Sequence, residues 1–206
     1  MLKKIVVIGP ESTGKSTLCT QLAEHFNTKW APEYAREYLL KNGTDYSYDD
    51  LLTIAKGQLA LEDEYASKVS PQHPTPKGQP AQPASDSLPI AIGIPACRFE
   101  LPIPTPLFID TDMYVMKVWC EFVFGKCHQF ILDEIATRKY DLYLLCNTDL
   151  PWVQDELREY PDLETREKLY KIYKDILLNQ TTPWVEISGG YEERLRIAIS
   201  AVANII

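Results

Sequence analysis

Apolar and polar residues alternate along the chain in blocks that predict strands followed by helices. The first block, residues 5–8, is a β-branched run that ends in glycine, as a buried parallel strand does before its turn. Residues 15–26 then place Leu18, Leu22 and Phe26 four residues apart, which is the apolar stripe of a helix packed on a sheet. These residues predict a first strand–loop–helix unit.

The same alternation continues to the end of the chain. We predict further strands at residues 29–31, 107–110, 142–146 and 184–187. Helices are predicted at residues 32–42, 47–69, 113–122, 130–140, 169–176 and 194–201. Strands that alternate with helices are typical of a parallel sheet flanked by helices, so the sequence predicts an α/β fold. A length of 206 residues fits a single domain, residues 1–206.

Residues 71–106 interrupt this pattern. They hold ten of the fifteen prolines of the chain and four charged side chains. Because proline lacks an N–H and has a fixed φ, we predict neither a helix nor an interior strand here, but a poorly ordered insertion. A connection from a helix into the start of a strand lies at the edge opposite a parallel sheet's active site, so we expect this segment to be remote from chemistry. An alternative is a motif for a partner that recognises proline-rich chain.

Charge and composition exclude several classes of protein. The chain has 21 Lys+Arg against 29 Asp+Glu, a net charge of −8, without a basic run, so we expect no nucleic-acid partner. It has no apolar run of about 18 residues, so we expect no membrane span. Without a signal-peptide pattern we expect a cytoplasmic protein. Five cysteines without paired spacing predict neither a disulfide framework nor a zinc site. The oligomeric state stays open.

Residues 9–17 match the phosphate-binding pattern G-x-x-x-x-G-K-[ST], after a predicted strand and before a predicted helix. Backbone N–H groups of such a loop surround phosphate oxygens, Lys15 adds positive charge, and Ser16 offers a hydroxyl to Mg²⁺. Residues 147–149 lack the lysine of the guanine-recognition element N-K-x-D, which disfavours a GTPase. We therefore expect ATP and Mg²⁺, although GTP stays open, with nucleotide contacts from Gly9, Glu11, Ser12, Thr13, Gly14, Lys15, Ser16 and Thr17.

Acidic residues follow two of the predicted strands, where the active edge of a parallel sheet lies. Asp110 ends the third apolar strand and is the candidate Mg²⁺ ligand together with Ser16. Asp112 either touches substrate or caps the following helix. Glu33 follows the second strand and is the candidate general base, unless it is only an acid of the first helical turn. Glu37 and Asp112 remain alternative bases.

Three arginines are candidates for binding phosphate. Residues 149–158 lie between the fourth strand and a long helix, where phosphotransfer kinases carry a lid. Arg158 and Arg166 are the candidate catalytic cations that neutralise charge on the transferred phosphoryl group, although each could be a surface arginine. Arg36 either binds the phosphate of the product or pairs with an acid.

Several of these motifs together resemble one family, the ribosylnicotinamide kinase domain of NadR-type proteins, over residues 1–69 and 107–203. The motifs are residues 9–17, 33–37, 108–112 with Trp119, 140–145 and 149–153. The resemblance implies a P-loop NTPase fold similar to nucleoside and nucleotide kinases, with a lid. It also implies transfer of the ATP γ-phosphate to the 5′-hydroxyl of nicotinamide riboside, giving nicotinamide mononucleotide for NAD synthesis.

The chain departs from the family pattern in two ways. Full NadR proteins carry an adenylyltransferase domain before the kinase, whereas the phosphate loop begins here at Gly9, so we expect a stand-alone kinase. The proline-rich insertion is also foreign to the family.

A pyridinium nucleoside needs an aromatic face, because a cationic ring stacks well on Trp or Tyr. Trp30, Tyr34 and Trp119 are the candidates, and each could instead be core packing. Glu33, Arg36 and Asp112 complete the expected substrate site. Alternatives are a kinase for another nucleoside or small metabolite, and a non-catalytic ATP-binding regulatory module.

Overall fold

Parallel strands form one sheet, and the strand that comes first in the chain lies at its centre. The computed structural model describes residues 1–69 and 104–206. Within these residues the strands are β1 (Leu2–Ile8), β2 (Trp30–Ala31), β3 (Thr105–Asp110), β4 (Leu142–Cys146) and β5 (Trp184–Ile187). Their order across the sheet is β2-β3-β1-β4-β5 and every neighbouring pair is parallel. The predicted α/β fold is confirmed.

Helices cover both faces of this sheet. They are α1 (Lys15–His25), α2 (Tyr34–Asn42), α3 (Tyr48–Val69), α4 (Met113–Phe124), α5 (Gln129–Thr137), α6 (Leu163–Leu178) and α7 (Tyr191–Ala203). Buried residues of α1 and α7 share one core with the sheet, and those of α4 and α6 share another on the opposite face. Helices α2, α3, α4 and α5 enclose a third apolar cluster beside the sheet. None of the described helices is long and apolar enough to cross a membrane.

Alternation along β1 explains the two layers. Ile5 and Val7 pack against α1 and α7, whereas Val6 and Ile8 face the opposite core, and all four are fully buried. Successive side chains of a strand point to opposite faces, so a strand buried on both faces is apolar throughout.

The start of β3 corrects the predicted end of the proline-rich segment. The strand begins at Thr105 and contains Pro106, whereas residues 71–103 of that prediction lie outside the described residues. The Thr105 N–H donates to Met1 O at 3.0 Å, so the next residue's nitrogen faces the other side. That side is the β2 side, where pairing with β2 begins only at Phe108. Pro106 therefore fits because no ladder bond requires its N–H.

A second, smaller correction concerns α5. The helix predicted to reach residue 140 ends at Thr137. The hydroxyl of Tyr140 instead donates to Glu62 Oε2 at 2.9 Å, which joins the segment before β4 to α3.

Candidate active site

The phosphate loop connects β1 to α1 at the carboxyl edge of the sheet. Gly9 has φ of 144°, and a Cβ added there would lie 2.7 Å from the carbonyl oxygen of Cys146 at the end of β4, so no side chain fits. Thr13 Oγ1 and Lys15 Nζ both donate to Pro10 O, at 2.8 and 3.0 Å. The loop is thus closed on itself by its own polar groups, and the helix dipole of α1 starts beside it.

Asp110 lies next to this loop at the end of β3. The hydroxyl of Ser16 donates to Asp110 Oδ2 at 2.5 Å, while Oδ1 is buried without a hydrogen-bond partner among the described residues. Burial raises the pKa of the Asp110 carboxyl. A buried carboxylate oxygen that lacks a donor, beside a hydroxyl, is the kind of oxygen set that Mg²⁺ takes. Ser16 and Asp110 therefore fit the predicted metal site.

Glu33 occupies the N-cap position of α2, and its side chain makes no capping hydrogen bond. It lines the same cavity as Lys15. Partial burial and the charge of Asp110 raise the pKa of the Glu33 carboxyl, whereas Lys15 and Arg36 oppose that rise. Glu37, the alternative base, is exposed on α2 and is absent from the described cavity lining. The geometry favours Glu33 over Glu37.

A cavity of about 480 Å³ joins the phosphate loop to an apolar chamber between α2, α4 and α6. All eight nucleotide-contact candidates of the loop, from Gly9 to Thr17, line one end of it. Its other walls are mainly apolar and aromatic: Trp30, Pro32, Ala35, Leu39, Val115, Val118, Trp119, Phe122, Leu157, Tyr160, Leu169 and Tyr173. A pocket of this kind suits a ligand with a flat apolar ring and a polar end that reaches the loop.

The structure places the three aromatic candidates in different surroundings. Trp30 and Trp119 line the cavity, but Tyr34 is absent from its described lining. The Tyr34 ring packs on α3, where a Cβ added to Gly57 would lie 2.1 Å from it. The expectation that Tyr34 meets substrate is therefore corrected, because the missing side chain of Gly57 lets the ring pack inward.

Tyr46, which the sequence analysis did not single out, orients the wall residue Trp119. Trp119 Nε1 donates to the Tyr46 hydroxyl at 2.8 Å, and the two rings meet edge to face at 5.0 Å. The same hydroxyl donates to Glu159 Oε2 at 3.1 Å. Tyr46 thus links an aromatic wall to the segment that leads into α6.

Asp112 lies beneath the site rather than in it. Its Oδ1 accepts hydrogen bonds from the N–H groups of Tyr114 and Val115, which caps α4, and its Oδ2 accepts from the Tyr143 hydroxyl at 2.8 Å. It is 2% exposed and is not part of the described cavity lining. Burial raises the pKa of Asp112 to about 7. The structure therefore corrects the substrate role and supports the capping alternative.

Residues 149–162, hereafter the lid segment, connect β4 to α6 without helix or strand of their own. Arg158 lines the cavity, and its guanidinium donates to Val153 O within the segment. Arg36 also lines the cavity, where its guanidinium makes a bidentate pair with Asp155, at 3.2 and 2.9 Å. Arg36 therefore pairs with an acid of the lid segment, one of its two predicted roles.

Arg166 is absent from the described cavity lining. It is 2% exposed, and its guanidinium donates to Ser12 O at 3.2 Å and Leu150 O at 3.3 Å. Burial lowers the pKa of this guanidinium. The structure thus corrects its predicted role: Arg166 supports the phosphate loop and the lid segment from behind instead of meeting a phosphoryl group directly.

A second buried arginine, Arg194 of α7, was missed by the sequence analysis. Its guanidinium donates to Thr13 O at 2.9 Å, to Asn147 O at 2.9 Å and to Gly189 O at 2.8 Å, and it also contacts Asp149. It is 3% exposed. One side chain from the last helix therefore fixes the phosphate loop to the ends of β4 and β5.

The loop, the buried acid beside it and the central parallel strand define a P-loop nucleotide-binding protein of the fold that NadR and nucleoside kinases share. A family model described as an AAA domain matches residues 4–76 and 63–194. The chain belongs to this AAA domain family.

The sequence identity between this chain and individual known proteins is low. The chain is 26% identical over 213 residues to the trifunctional NAD biosynthesis/regulator protein NadR of Escherichia coli (strain K12). It spans 43% of the length of that relative. A crystal structure of NadR in complex with NR matches with a TM-score of 0.67 and 23% identity, covering 98% of this chain and 49% of the other. Thymidylate kinase from Ehrlichia chaffeensis matches with a TM-score of 0.58 and 12% identity, covering 100% and 99%.

Proposed function

We propose that the protein is an ATP-dependent kinase that phosphorylates the 5′-hydroxyl of nicotinamide riboside to give nicotinamide mononucleotide in the cytoplasm. The observation that carries this proposal is the single cavity that joins the phosphate loop and Glu33 to the Trp30 and Trp119 walls. The likeness to NadR, one structure of which is described in complex with NR, supports this choice of substrate.

The donor end of the reaction uses the phosphate loop. Backbone N–H groups and Lys15 bind the β- and γ-phosphates of ATP, and the α1 dipole adds positive potential there. Asp110 and Ser16 would hold Mg²⁺, which supplies positive charge to the transferred phosphoryl group. Arg158 lines the cavity from the lid segment, and its guanidinium would help to neutralise the negative charge on the transferred phosphoryl group.

The acceptor end uses Glu33. A carboxylate at the cavity wall orients the attacking hydroxyl and accepts its proton as the bond to phosphorus forms. Its raised pKa makes it a stronger base than an exposed glutamate. The pyridinium ring of the substrate stacks on Trp30 or Trp119, because a cationic ring is attracted to an indole face.

The experiment is a panel of nucleosides incubated with ATP and Mg²⁺, with products identified by mass. We expect nicotinamide riboside to be phosphorylated, and Glu33→Gln to lower kcat by about 10²-fold to 10⁴-fold without weakening ATP binding. Glu37→Gln, an exposed glutamate on the same helix, is the matched control and should keep full activity. If the protein phosphorylates another nucleoside in preference to nicotinamide riboside, the proposed substrate is wrong. If it forms no product with any nucleoside, a regulatory ATP-binding module is favoured.

A further inference from the structure

The phosphate loop contains an acid, Glu11, whose charge would repel a bound triphosphate if it faced the nucleotide. In the structure the carboxylate turns to the lid segment instead. Glu11 Oε2 accepts a hydrogen bond from Glu159 N at 3.0 Å, and Oε1 accepts one from Tyr160 N at 2.6 Å. The indole Nε1 of Trp152 also donates to Oε1, at 3.4 Å. One carboxylate therefore collects three N–H groups.

These donors come from both ends of the lid segment. Trp152 lies near the start of the lid segment, whereas Glu159 and Tyr160 lie near its end. Glu11 therefore holds the two ends of the segment together. The neighbouring Ser12 Oγ accepts from Val153 N at 2.9 Å and extends the same contact. Because the segment has no helix or strand, these backbone N–H groups have no ladder of their own to satisfy them.

We infer that Glu11 is a positioning residue that anchors the lid segment to the phosphate loop and thereby keeps Arg158 at the cavity. Arg158 directly precedes Glu159, whose N–H the carboxylate holds. Hydrogen bonds to an ionised acceptor are among the stronger ones in proteins, so this contact is suited to fix a segment that lacks regular structure. The catalytic consequence rests on the proposed kinase function, whereas the anchor itself does not.

The first test needs no substrate. Trypsin cleaves after arginine, and the anchor should protect the bond between Arg158 and Glu159. Glu11→Gln keeps the size of the side chain but turns an NH₂ group toward an N–H donor, so we expect this bond to be cleaved about tenfold faster. Glu24→Gln, which neutralises an exposed carboxylate on α1, is the matched control and should leave the rate unchanged. Cleavage is followed by fragment mass, with other sites in the chain as internal reference.

The second test separates positioning from nucleotide binding. If Glu11 positions Arg158, Glu11→Gln lowers kcat by about tenfold and leaves KM for ATP within about twofold, since the loop itself is intact. A raised KM for ATP with unchanged cleavage after Arg158 would make Glu11 a nucleotide ligand and overturn the inference.

A milder substitution keeps the test decisive if the Glu11→Gln variant fails to fold. Trp152→Phe removes the indole N–H together with the five-membered ring but keeps an aromatic side chain, and it should raise cleavage after Arg158 by less than Glu11→Gln does. Unchanged cleavage in both Trp152→Phe and a folded Glu11→Gln would refute the anchor. If the wild-type protein phosphorylates no nucleoside, the proposed function fails, and the cleavage experiment still decides on the anchor.

Discussion

The phosphate loop and the lid segment face each other across one cavity but are held in different ways. The loop is closed by its own residues, since Thr13 and Lys15 both donate to Pro10 O. The lid segment is held by side chains from elsewhere, among them Glu11 and Arg36. Glu11 is 149 residues from Tyr160, the donor it accepts from. The fold of the phosphate loop is thus set largely within one short stretch, although Arg166 and Arg194 support it from behind, whereas the lid segment depends on the completed fold.

The strongest way to test this contrast is to disable the loop alone. We expect Lys15→Ala and Asp110→Asn each to lower phosphoryl transfer by about 10²-fold to 10³-fold, because each removes electrostatic stabilisation of the transition state. ADP release measures the rate, and circular dichroism confirms folding. Trypsin cleavage after Arg158 should not change, because neither side chain contacts the lid segment. Turnover within a few fold of wild type would contradict the site.

Arg194 tests whether the loop depends on the rest of the fold after all. Arg194→Met leaves three carbonyl groups and Asp149 without their donor, so we expect the free energy of unfolding to fall by about 3 kcal/mol. Arg196→Met, on the same helix but 74% exposed, should change it by less than about 0.5 kcal/mol. Urea unfolding measures both. Equal losses would mean that the guanidinium contacts of Arg194 do not stabilise the loop.

Tyr46 tests the link between the lid segment and the aromatic wall. Tyr46→Phe removes the hydroxyl that joins Trp119 to Glu159, and we expect KM for the nucleoside to rise about fivefold, the effect of about one hydrogen bond. KM for ATP should stay constant. Tyr38→Phe is the matched control, since its hydroxyl binds Asp50 at the start of α3. A nucleoside KM that rises equally in both variants would argue against a positioning role.

The smallest predicted effect is the contribution of the Arg36–Asp155 ion pair to stability, which depends on pH. The Arg36 guanidinium lowers the pKa of Asp155 below the usual value of about 3.9. A lowered pKa in the folded state means that the pair stabilises the protein above about pH 4 and that this is lost as pH falls through the lowered value. Asp155→Asn should therefore cost less than about 1 kcal/mol at pH 6 and progressively less at a second pH below about 4. Urea midpoints at the two pH values check this, and a pH-independent cost would exclude the ion pair as its cause.

The sequence predicts the contiguous parts of this molecule well, because a strand, a glycine-rich turn and a helix each follow from neighbouring residues. Every predicted strand is found, and the loop lines the cavity at the edge where it was expected. The Ser16 hydroxyl reaches Asp110 because the loop that follows β1 and the end of β3 lie side by side at the carboxyl edge of adjacent strands.

Side-chain direction was not predictable where a distant residue decides it. Tyr34 turns inward because Gly57 leaves room, and Asp112 is occupied by the Tyr143 hydroxyl. The burial of Arg194, by contrast, could have been predicted from the sequence. Arg194 precedes the buried Ala198 by four residues and so stands in the apolar stripe of α7, where a charged residue needs buried partners.

The central position of β1 also affects how the chain is made. Its partners β3 and β4 are synthesised only after residue 104, so at about 5–20 residues per second the strand waits seconds on the ribosome without a ladder. A free β-branched run is prone to aggregate during that time. Lys3 and Lys4 directly precede it, and charged residues that flank an apolar run generally discourage pairing between nascent chains. In the finished protein the same two lysines are neutralised by Asp141 and Glu62, which arrive later in the chain.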